Sequence, residues 1–118
     1  MPQVPFRPPK TPSKQVRRMA EIERTALEKV LIITPKRHSD PRGFFNDTWK
    51  AAILPHVGVD VAFIQDNHSH SADAGTLRGL DYQSPPHARA KLVRCARGSI
   101  PDVAADVRRG SPSISSAL

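Results

Sequence analysis

Apolar and polar residues alternate over short stretches from residue 30 onward, and this pattern predicts strands rather than helices. Residues 30–34 (VLIIT) form a compact apolar run that Pro35 ends, and residues 40–43 (DPRG) carry a turn signature that leads into a second strand over residues 44–49. Residues 97–99 (RGS) are typical of a hairpin connection. The other predicted strands are residues 59–65, 76–83, 91–96 and 100–107. About six short strands without a convincing helix predict an all-β sandwich or barrel.

The N-terminal residues follow a different pattern. Residues 1–18 contain five prolines and five cations without any acid, which predicts a disordered tail with polyproline character. The alternative is a short helix over residues 14–28, since apolar side chains recur there at helical spacing. These side chains are Val16, Met19, Ile22 and Ala26.

We therefore divide the chain into a basic tail (residues 1–18), one folded domain (19–112) and a polar end (113–118). Met19 stands at the start of the predicted domain and is a second possible start of the natural protein. A length of 118 residues is sufficient for one small domain at most.

The net charge of +7 would by itself suggest an anionic partner such as nucleic acid or a membrane surface. The tail accounts for five of the 18 cations and none of the 11 acids, so the remaining residues carry only thirteen cations against eleven acids. A charge so close to balance does not favour a nucleic-acid partner for the domain. The short apolar runs exclude a membrane span.

A single cysteine, Cys95, excludes an internal disulfide framework and fits a reducing cytoplasm. It alternates with Val93 on a predicted strand, so we expect it to be buried.

Five polar clusters recur at the ends or in the middle of the predicted strands, where a β-sandwich can direct them into one cavity. They are DPRGFF (40–45), QDNHS (65–69), LRGLDYQ (77–83), PPHARAKLVR (85–94) and DVAADVRRGSP (102–112). At these clusters the chain resembles the dTDP-4-dehydrorhamnose 3,5-epimerase family, and the resemblance covers residues 21–112. It implies a cupin-type jelly roll, a homodimer and a cytoplasmic enzyme without metal or other cofactor. The implied substrate is a dTDP-linked 4-keto-6-deoxy sugar, epimerised at the carbons beside its 4-keto group.

The resemblance also assigns roles to individual residues. The residues that match substrate contacts of the family are Arg42, Asp47, Gln65, Asn67, Arg78 and Lys91. Asp47 stands where the family usually has glutamate. Gln65 and Asn67 share one face of a strand by period-two spacing. Phe44 and Phe45, beside Arg42, are expected in the core.

The chain departs from the family at the position of the catalytic base. The family motif has histidine between LRGL and YQ, whereas this chain has Asp81. The family also continues beyond the RRGSP segment and takes its tyrosine acid from that later part, and Pro101 stands where the family has a large apolar residue. The sequence thus predicts an incomplete jelly roll. The predicted function is epimerisation, or alternatively nucleotide-sugar binding by an inactive remnant of the family.

His68 and His70 are the alternative candidates for chemistry, because two imidazoles at this spacing can share a metal ion. A cupin metal motif also needs a nearby glutamate, whereas Asp73 is the only carboxylate close by. We therefore predict no metal site.

Overall fold

The computed structural model describes residues 14–114 and residue 117. Its regular elements all lie before residue 58. In chain order they are helix α1 (Lys14–Met19), strands β1 (Ala20–Arg24), β2 (Leu31–Pro35), β3 (His38–Asp40) and β4 (Gly43–Phe45), and a 3₁₀ helix (Ala51–Val57). None of the helices in the described part of the chain is long and apolar enough to cross a bilayer.

Strands β1 and β2 form an antiparallel pair that runs from Ala20 opposite Pro35 to Arg24 opposite Leu31. In β1 the buried Ala20 and half-buried Ile22 alternate with exposed glutamates, and Leu31 and Ile33 of β2 face the same side. The predicted strand over residues 30–34 is thus confirmed within one residue. The predicted helix over residues 14–28 ends instead at Met19, because hydrogen bonding to β2 outweighs the helical spacing of the apolar residues that follow.

The connection between β1 and β2 is fixed by Thr25. The Leu27 amide donates to Thr25 Oγ1 (3.1 Å), and the same hydroxyl donates to the Val30 carbonyl (2.9 Å). The Val30 amide in turn donates to the Leu27 carbonyl (3.1 Å). These bonds satisfy the polar backbone of the turn and hold Leu27 in the interior, where it is buried.

Strands β3 and β4 form the hairpin that the DPRG turn predicts, with Asp40 opposite Gly43 and His38 opposite Phe45. The Arg42 amide donates to Asp40 Oδ1 (2.8 Å), which is an Asx turn. Gly43 has φ of 136°, a value that side-chain-bearing residues rarely adopt. The second strand ends at Phe45 rather than at residue 49, so the hairpin is short.

The apolar core lies where the 3₁₀ helix packs on β1. Ile53 and Val57 of that helix are buried with Ala20, and half-buried side chains of α1, β1 and β2 surround them. Gly58 ends the helix in the left-handed conformation (φ 74°), and the Val59 amide donates to the Leu54 carbonyl (3.1 Å). This helix could not be predicted from the sequence, because its seven residues around Pro55 show no clear helical period.

Both sheets are antiparallel and strands outnumber helices among the described residues, which agrees with the sheet-rich class. The four predicted strands between residues 59 and 107 are not formed, and the described chain has only an isolated antiparallel bridge there, from Ala105 to Ala117. A strand requires a neighbour to hydrogen-bond, and apolar alternation does not supply one. Gly98 (φ 79°) does lie in a bend, as predicted, but without paired strands on either side.

The predicted tail is described only from residue 14, and residues 14–18 belong to α1. The remainder of the tail, residues 1–13, lies outside the described residues.

Candidate functional site

The β3–β4 hairpin places Arg42 at its turn, where the side chain is 90% exposed. Its guanidinium donates to Asp40 Oδ2 through Nη2 (2.6 Å) and Nε (3.2 Å). The side-chain hydrogen bond from Arg42 is the main reason that the pKa of Asp40 is lowered. A surface ion pair of this kind contributes little to stability, so an anionic ligand can compete for the arginine.

An aromatic surface lies on the same hairpin. Phe44 and Phe45 are 60% and 70% exposed, so the expectation that they belong to the core is wrong. Their strand is only three residues long and pairs with β3 alone among the described strands. The Arg37 guanidinium lies 4.0 Å from the centre of the Phe44 ring, a cation–π contact. The hairpin therefore presents two arginines and a flat aromatic surface to solvent.

Asp47 follows the hairpin and pairs with Lys50, whose Nζ donates to Asp47 Oδ2 (2.7 Å). Both side chains are about half exposed. Nearby, Trp49 and Phe63 meet edge to face with ring centres 5.4 Å apart. This contact fixes the start of the segment that carries Gln65 and Asn67.

Gln65 and Asn67 lie close together, although the strand on which period-two spacing predicts them is not formed. Gln65 Nε2 donates to Asn67 Oδ1 (3.0 Å), and both side chains are exposed. They are the one pair of candidate residues that the structure joins by a direct bond within the part of the chain it describes.

Arg78 closes a loop that begins at His70. Its Nε donates to Ser71 Oγ and its Nη2 to the His70 carbonyl, both at 3.2 Å. Thr76 Oγ1 donates to the Asp73 carbonyl (2.8 Å) within the same loop. The arginine is exposed and has no carboxylate among its described partners, so its charge is available to an anion.

Asp81 and Lys91 are exposed, and neither makes a hydrogen bond or ion pair with any residue that the structure describes. The contacts of Arg42, Asp47 and Arg78 are likewise local, each with residues close by in the sequence. The single cavity that the sequence analysis expects requires sheets on either side, and those strands are not formed.

Among residues 14–114 and residue 117, no group of three histidine, cysteine, aspartate or glutamate side chains is placed to hold a metal ion. Cys95 is a free thiol and is exposed, so the prediction that it is buried is wrong. Its Sγ donates to the Arg97 carbonyl (3.3 Å) instead of packing against a sheet, because residues 91–96 form no strand.

A polar network surrounds Asp106, which the sequence pattern did not single out. The Asp106 carboxylate is 2% exposed and accepts hydrogen bonds from the Arg108 guanidinium (2.7 and 2.9 Å), the Arg108 amide (3.0 Å) and the hydroxyls of Ser111 and Ser113 (2.5 and 2.6 Å). The bond from Arg108 is the largest cause of a pKa of Asp106 held far below the ordinary range.

This network ties the last described turn to the β1–β2 connection. The Glu28 amide donates to Ser113 Oγ (3.4 Å), and the Glu28 carboxylate lies 3.9 Å from Arg108 Nη2. The D-x-R-x-x-S-x-S spacing of the RRGSP cluster is the signal that could have revealed it, because an aspartate two residues before an amide donor favours an Asx turn. The RRGSP cluster is thus structural in this chain.

Comparison with known proteins gives a consistent result. Residues 24–117 match the model of the dTDP-4-dehydrorhamnose 3,5-epimerase family. The chain is 47% identical over 91 residues to the dTDP-4-dehydrorhamnose 3,5-epimerase of Shigella flexneri, which covers 76% of this chain and 50% of that protein. The enzyme of that name from Sinorhizobium fredii is 44% identical over 88 residues (75% and 45%).

A third relative carries a different name. The dTDP-4-dehydrorhamnose 3-epimerase of Streptomyces niveus is 38% identical over 88 residues, covering 74% of this chain and 42% of that protein. The chain spans about half the length of the curated relatives it matches.

Proposed function

Because the chain belongs to the dTDP-4-dehydrorhamnose 3,5-epimerase family, we propose that it binds a dTDP-linked 4-keto-6-deoxy sugar and epimerises the carbons beside the ketone. The observation that carries this proposal is the extent of the family match. It runs from residue 24 to residue 117 and so includes every candidate site residue from Arg42 to Lys91.

Epimerisation beside a ketone requires side chains that can remove a proton, stabilise an enolate and return a proton. A base removes the proton from the carbon beside the ketone, the carbonyl oxygen becomes an enolate that needs a donor, and a proton returns to the opposite face of the same carbon. In our proposal the Asp81 carboxylate accepts the first proton. Arg78 and Lys91, which are both exposed cations, stabilise the enolate oxygen and a phosphate.

Recognition of the nucleotide is assigned to the β3–β4 hairpin. Arg42 offers a guanidinium to the diphosphate, for which planar paired donors are well suited. Asp47 and the bonded amides of Gln65 and Asn67 provide hydrogen bonds to hydroxyl and carbonyl groups of the ligand. The Asp40 carboxylate is the group that a diphosphate would displace from Arg42.

Binding is tested by calorimetric titration of the chain with dTDP. We expect Arg42→Ala and Arg78→Ala each to weaken binding about tenfold, since each removes charge-assisted hydrogen bonds. Arg89→Ala is the matched control, because it removes an exposed arginine to which we assign no role. Equal effects of all three substitutions would mean that only overall charge is sensed and would contradict the assigned site.

Turnover is tested by NMR in heavy water, which reports deuterium entry at each of the two carbons separately. Exchange at both carbons supports 3,5-epimerisation, whereas exchange at one alone supports the single epimerisation that the name of the Streptomyces niveus relative describes. No exchange on a chain that binds dTDP would contradict the catalytic proposal.

The second candidate function is binding without turnover. It is favoured by Asp81, which lacks the imidazole of the family motif and has no hydrogen-bond partner among the described residues to orient it. Tight dTDP binding together with an absence of deuterium exchange is the result expected for this candidate.

The remaining assignments concern architecture and location. We propose a cupin-type jelly roll and a homodimer for the complete fold, supported by the family match and the antiparallel hairpins. A cytoplasmic location is supported by the free thiol of Cys95, which suits a reducing compartment. Light scattering of the purified chain measures the dimer directly.

A further inference from the structure

The loop of residues 70–78 holds Arg78 through uncharged acceptors. Arg78 Nε donates to Ser71 Oγ and Nη2 donates to the His70 carbonyl, both at 3.2 Å. Within the part of the chain that the structure describes, no carboxylate forms an ion pair with this arginine. The guanidinium is therefore held in place while its positive charge is not offset by a neighbouring acid.

The two bonds occupy one edge of the guanidinium. An arginine has five N–H donors, and the Nε–H lies side by side with one hydrogen of Nη2. The loop accepts from these two nitrogens. The other Nη2 hydrogen and the two on Nη1 remain, and a parallel pair of such donors matches two oxygens of a phosphate or carboxylate. The loop thus holds Arg78 by one edge and leaves a paired edge for an anion.

The loop is closed by a second hydrogen bond, which Thr76 Oγ1 donates to the Asp73 carbonyl (2.8 Å). Arg78 then reaches back to partners seven and eight positions earlier in the chain. One of these partners is a backbone carbonyl, which any residue at position 70 would supply. The other is a side-chain hydroxyl, so the identity of Ser71 decides whether the Nε–H is held.

Arg42 shows the effect of a charged partner at the same edge of the group. Its Nε and Nη2 both donate to Asp40 Oδ2, at 3.2 and 2.6 Å. An anion that approaches Arg42 meets the negative charge of this carboxylate, whereas an anion that approaches Arg78 meets a hydroxyl and a carbonyl. Neutral acceptors can therefore orient an arginine without competing with its ligand.

We propose that Ser71 is a positioning residue for Arg78, which it holds ready for an anionic oxygen of the substrate. This inference rests on the proposed function, in which Arg78 stabilises a phosphate or the enolate oxygen of a dTDP-linked sugar. An arginine that is already held loses less side-chain freedom on binding than a free one, and preorganisation of this kind raises affinity. Ser71 acts through Arg78 and makes no contact with the ligand itself.

A double-mutant cycle measured by calorimetric titration with dTDP tests this role. We expect Ser71→Ala to weaken dTDP binding about threefold in the natural chain and to have no further effect in Arg78→Ala, because the serine acts through the arginine. Ser71→Thr keeps the hydroxyl and should bind dTDP as the natural chain does. Ser69→Ala removes an exposed serine two residues earlier, to which we assign no role, and is the matched control.

Two further measurements separate positioning from a general effect on folding. Ser71→Asp places a carboxylate beside Arg78, and we expect it to weaken dTDP binding more than Ser71→Ala does, since the new charge repels the ligand. In the chain without ligand, the Arg78 Nε–H should exchange faster with water in Ser71→Ala than in the natural chain, as measured by NMR. The melting temperature should be unchanged in both variants, because Ser71 is exposed.

The cycle distinguishes failure of this inference from failure of the proposed function. If Ser71→Ala weakens dTDP binding equally with and without Arg78, the serine acts independently of the arginine and the inference is overturned. It is also overturned, while the proposed function stands, if Arg78→Ala weakens binding and Ser71→Ala does not. If Arg78→Ala itself leaves dTDP binding unchanged, the proposed contact between Arg78 and the ligand is wrong, and the role of Ser71 is wrong with it.

Discussion

Asp106 shows how one side chain can hold two distant parts of the chain together. Its carboxylate receives all its hydrogen bonds from residues within seven positions, yet Ser113 and Arg108 of the same network contact Glu28 in the β1–β2 connection. A buried carboxylate is costly unless it is paired, and here every bond favours the charged form.

The lowered pKa of Asp106 predicts a pH dependence of stability. A carboxyl group whose folded pKa lies below its unfolded value stabilises the fold fully above the unfolded pKa, near 4, and loses this contribution as the pH falls toward the folded pKa. We expect the melting temperature to fall as the pH drops below about 4. Asp106→Asn should be less stable than the natural chain at pH 7, and the difference should shrink in acid.

Thermal denaturation followed by circular dichroism from pH 7 to pH 2 measures this difference. Asp102→Asn is the control, because Asp102 is an exposed aspartate four residues earlier in the chain. If the melting temperatures of Asp106→Asn and the natural chain differed by the same amount at every pH, the lowered pKa of Asp106 would be contradicted.

Substitution of Asp81 tests whether its carboxylate is the catalytic base. If its carboxylate is the base, Asp81→Asn should lower the rate of deuterium exchange about 10²–10⁴-fold while dTDP binding is retained. Asp81→His should restore exchange relative to the asparagine variant, because imidazole is the better base near neutral pH. Undiminished exchange in Asp81→Asn would place the base elsewhere.

At the scale of elements, the β3–β4 hairpin depends on one glycine. Gly43 has φ of 136°, and a Cβ added there would meet no atom within 4 Å, so the obstacle to a larger residue is conformational rather than steric crowding. Gly43→Ala should destabilise the hairpin by about 1–3 kcal/mol. Faster amide exchange in residues 38–45 by NMR is the expected observation, with Ser39→Ala on the same hairpin as the control.

The contact between the 3₁₀ helix and the β1–β2 sheet predicts which apolar substitutions lower the free energy of unfolding most. Ile53 is buried against Ala20 and Val57, whereas Ile32 on the outer face of β2 is half exposed. We expect Ile53→Ala to lower the free energy of unfolding by about 2–5 kcal/mol and Ile32→Ala by less than about 1 kcal/mol. Urea denaturation of the two variants provides the comparison, and similar losses would show that the core lies elsewhere.

At the scale of the molecule, burial is divided unevenly along the chain. Residues 16–57 contain the buried apolar side chains, whereas residues 62–103 are almost entirely exposed. We therefore expect slow amide exchange in β1, β2 and the 3₁₀ helix and fast exchange over residues 64–103 in the isolated chain. Hydrogen exchange measured by mass spectrometry tests this, and uniform protection would contradict it.

Features of this chain that depend on short-range interactions could be predicted from the sequence, whereas features that depend on a second layer of structure could not. The strand predicted at residues 30–34 and the DPRG turn depend on neighbours close in the chain, and both are confirmed. The prediction for Cys95 and for Phe44 and Phe45 was wrong because burial depends on a second layer of structure. The link between the Asp106 network and Glu28 could not be predicted because Ser113 and Glu28 are 85 positions apart in the sequence, whereas the bonds to Asp106 itself are local.

The sequence by itself determined the family, the turn residues and the chemical types at the candidate site, because these follow from residue identity and short spacing. The tertiary structure decided which segments of alternating apolar and polar residues become strands and which side chains are buried. Apolar alternation is a local property that many segments share, whereas a strand or a core exists only where a partner supplies hydrogen bonds and removes apolar area from solvent. Residues 20–35 have such partners within the described chain, whereas residues 64–103 have the same pattern but form no strand there.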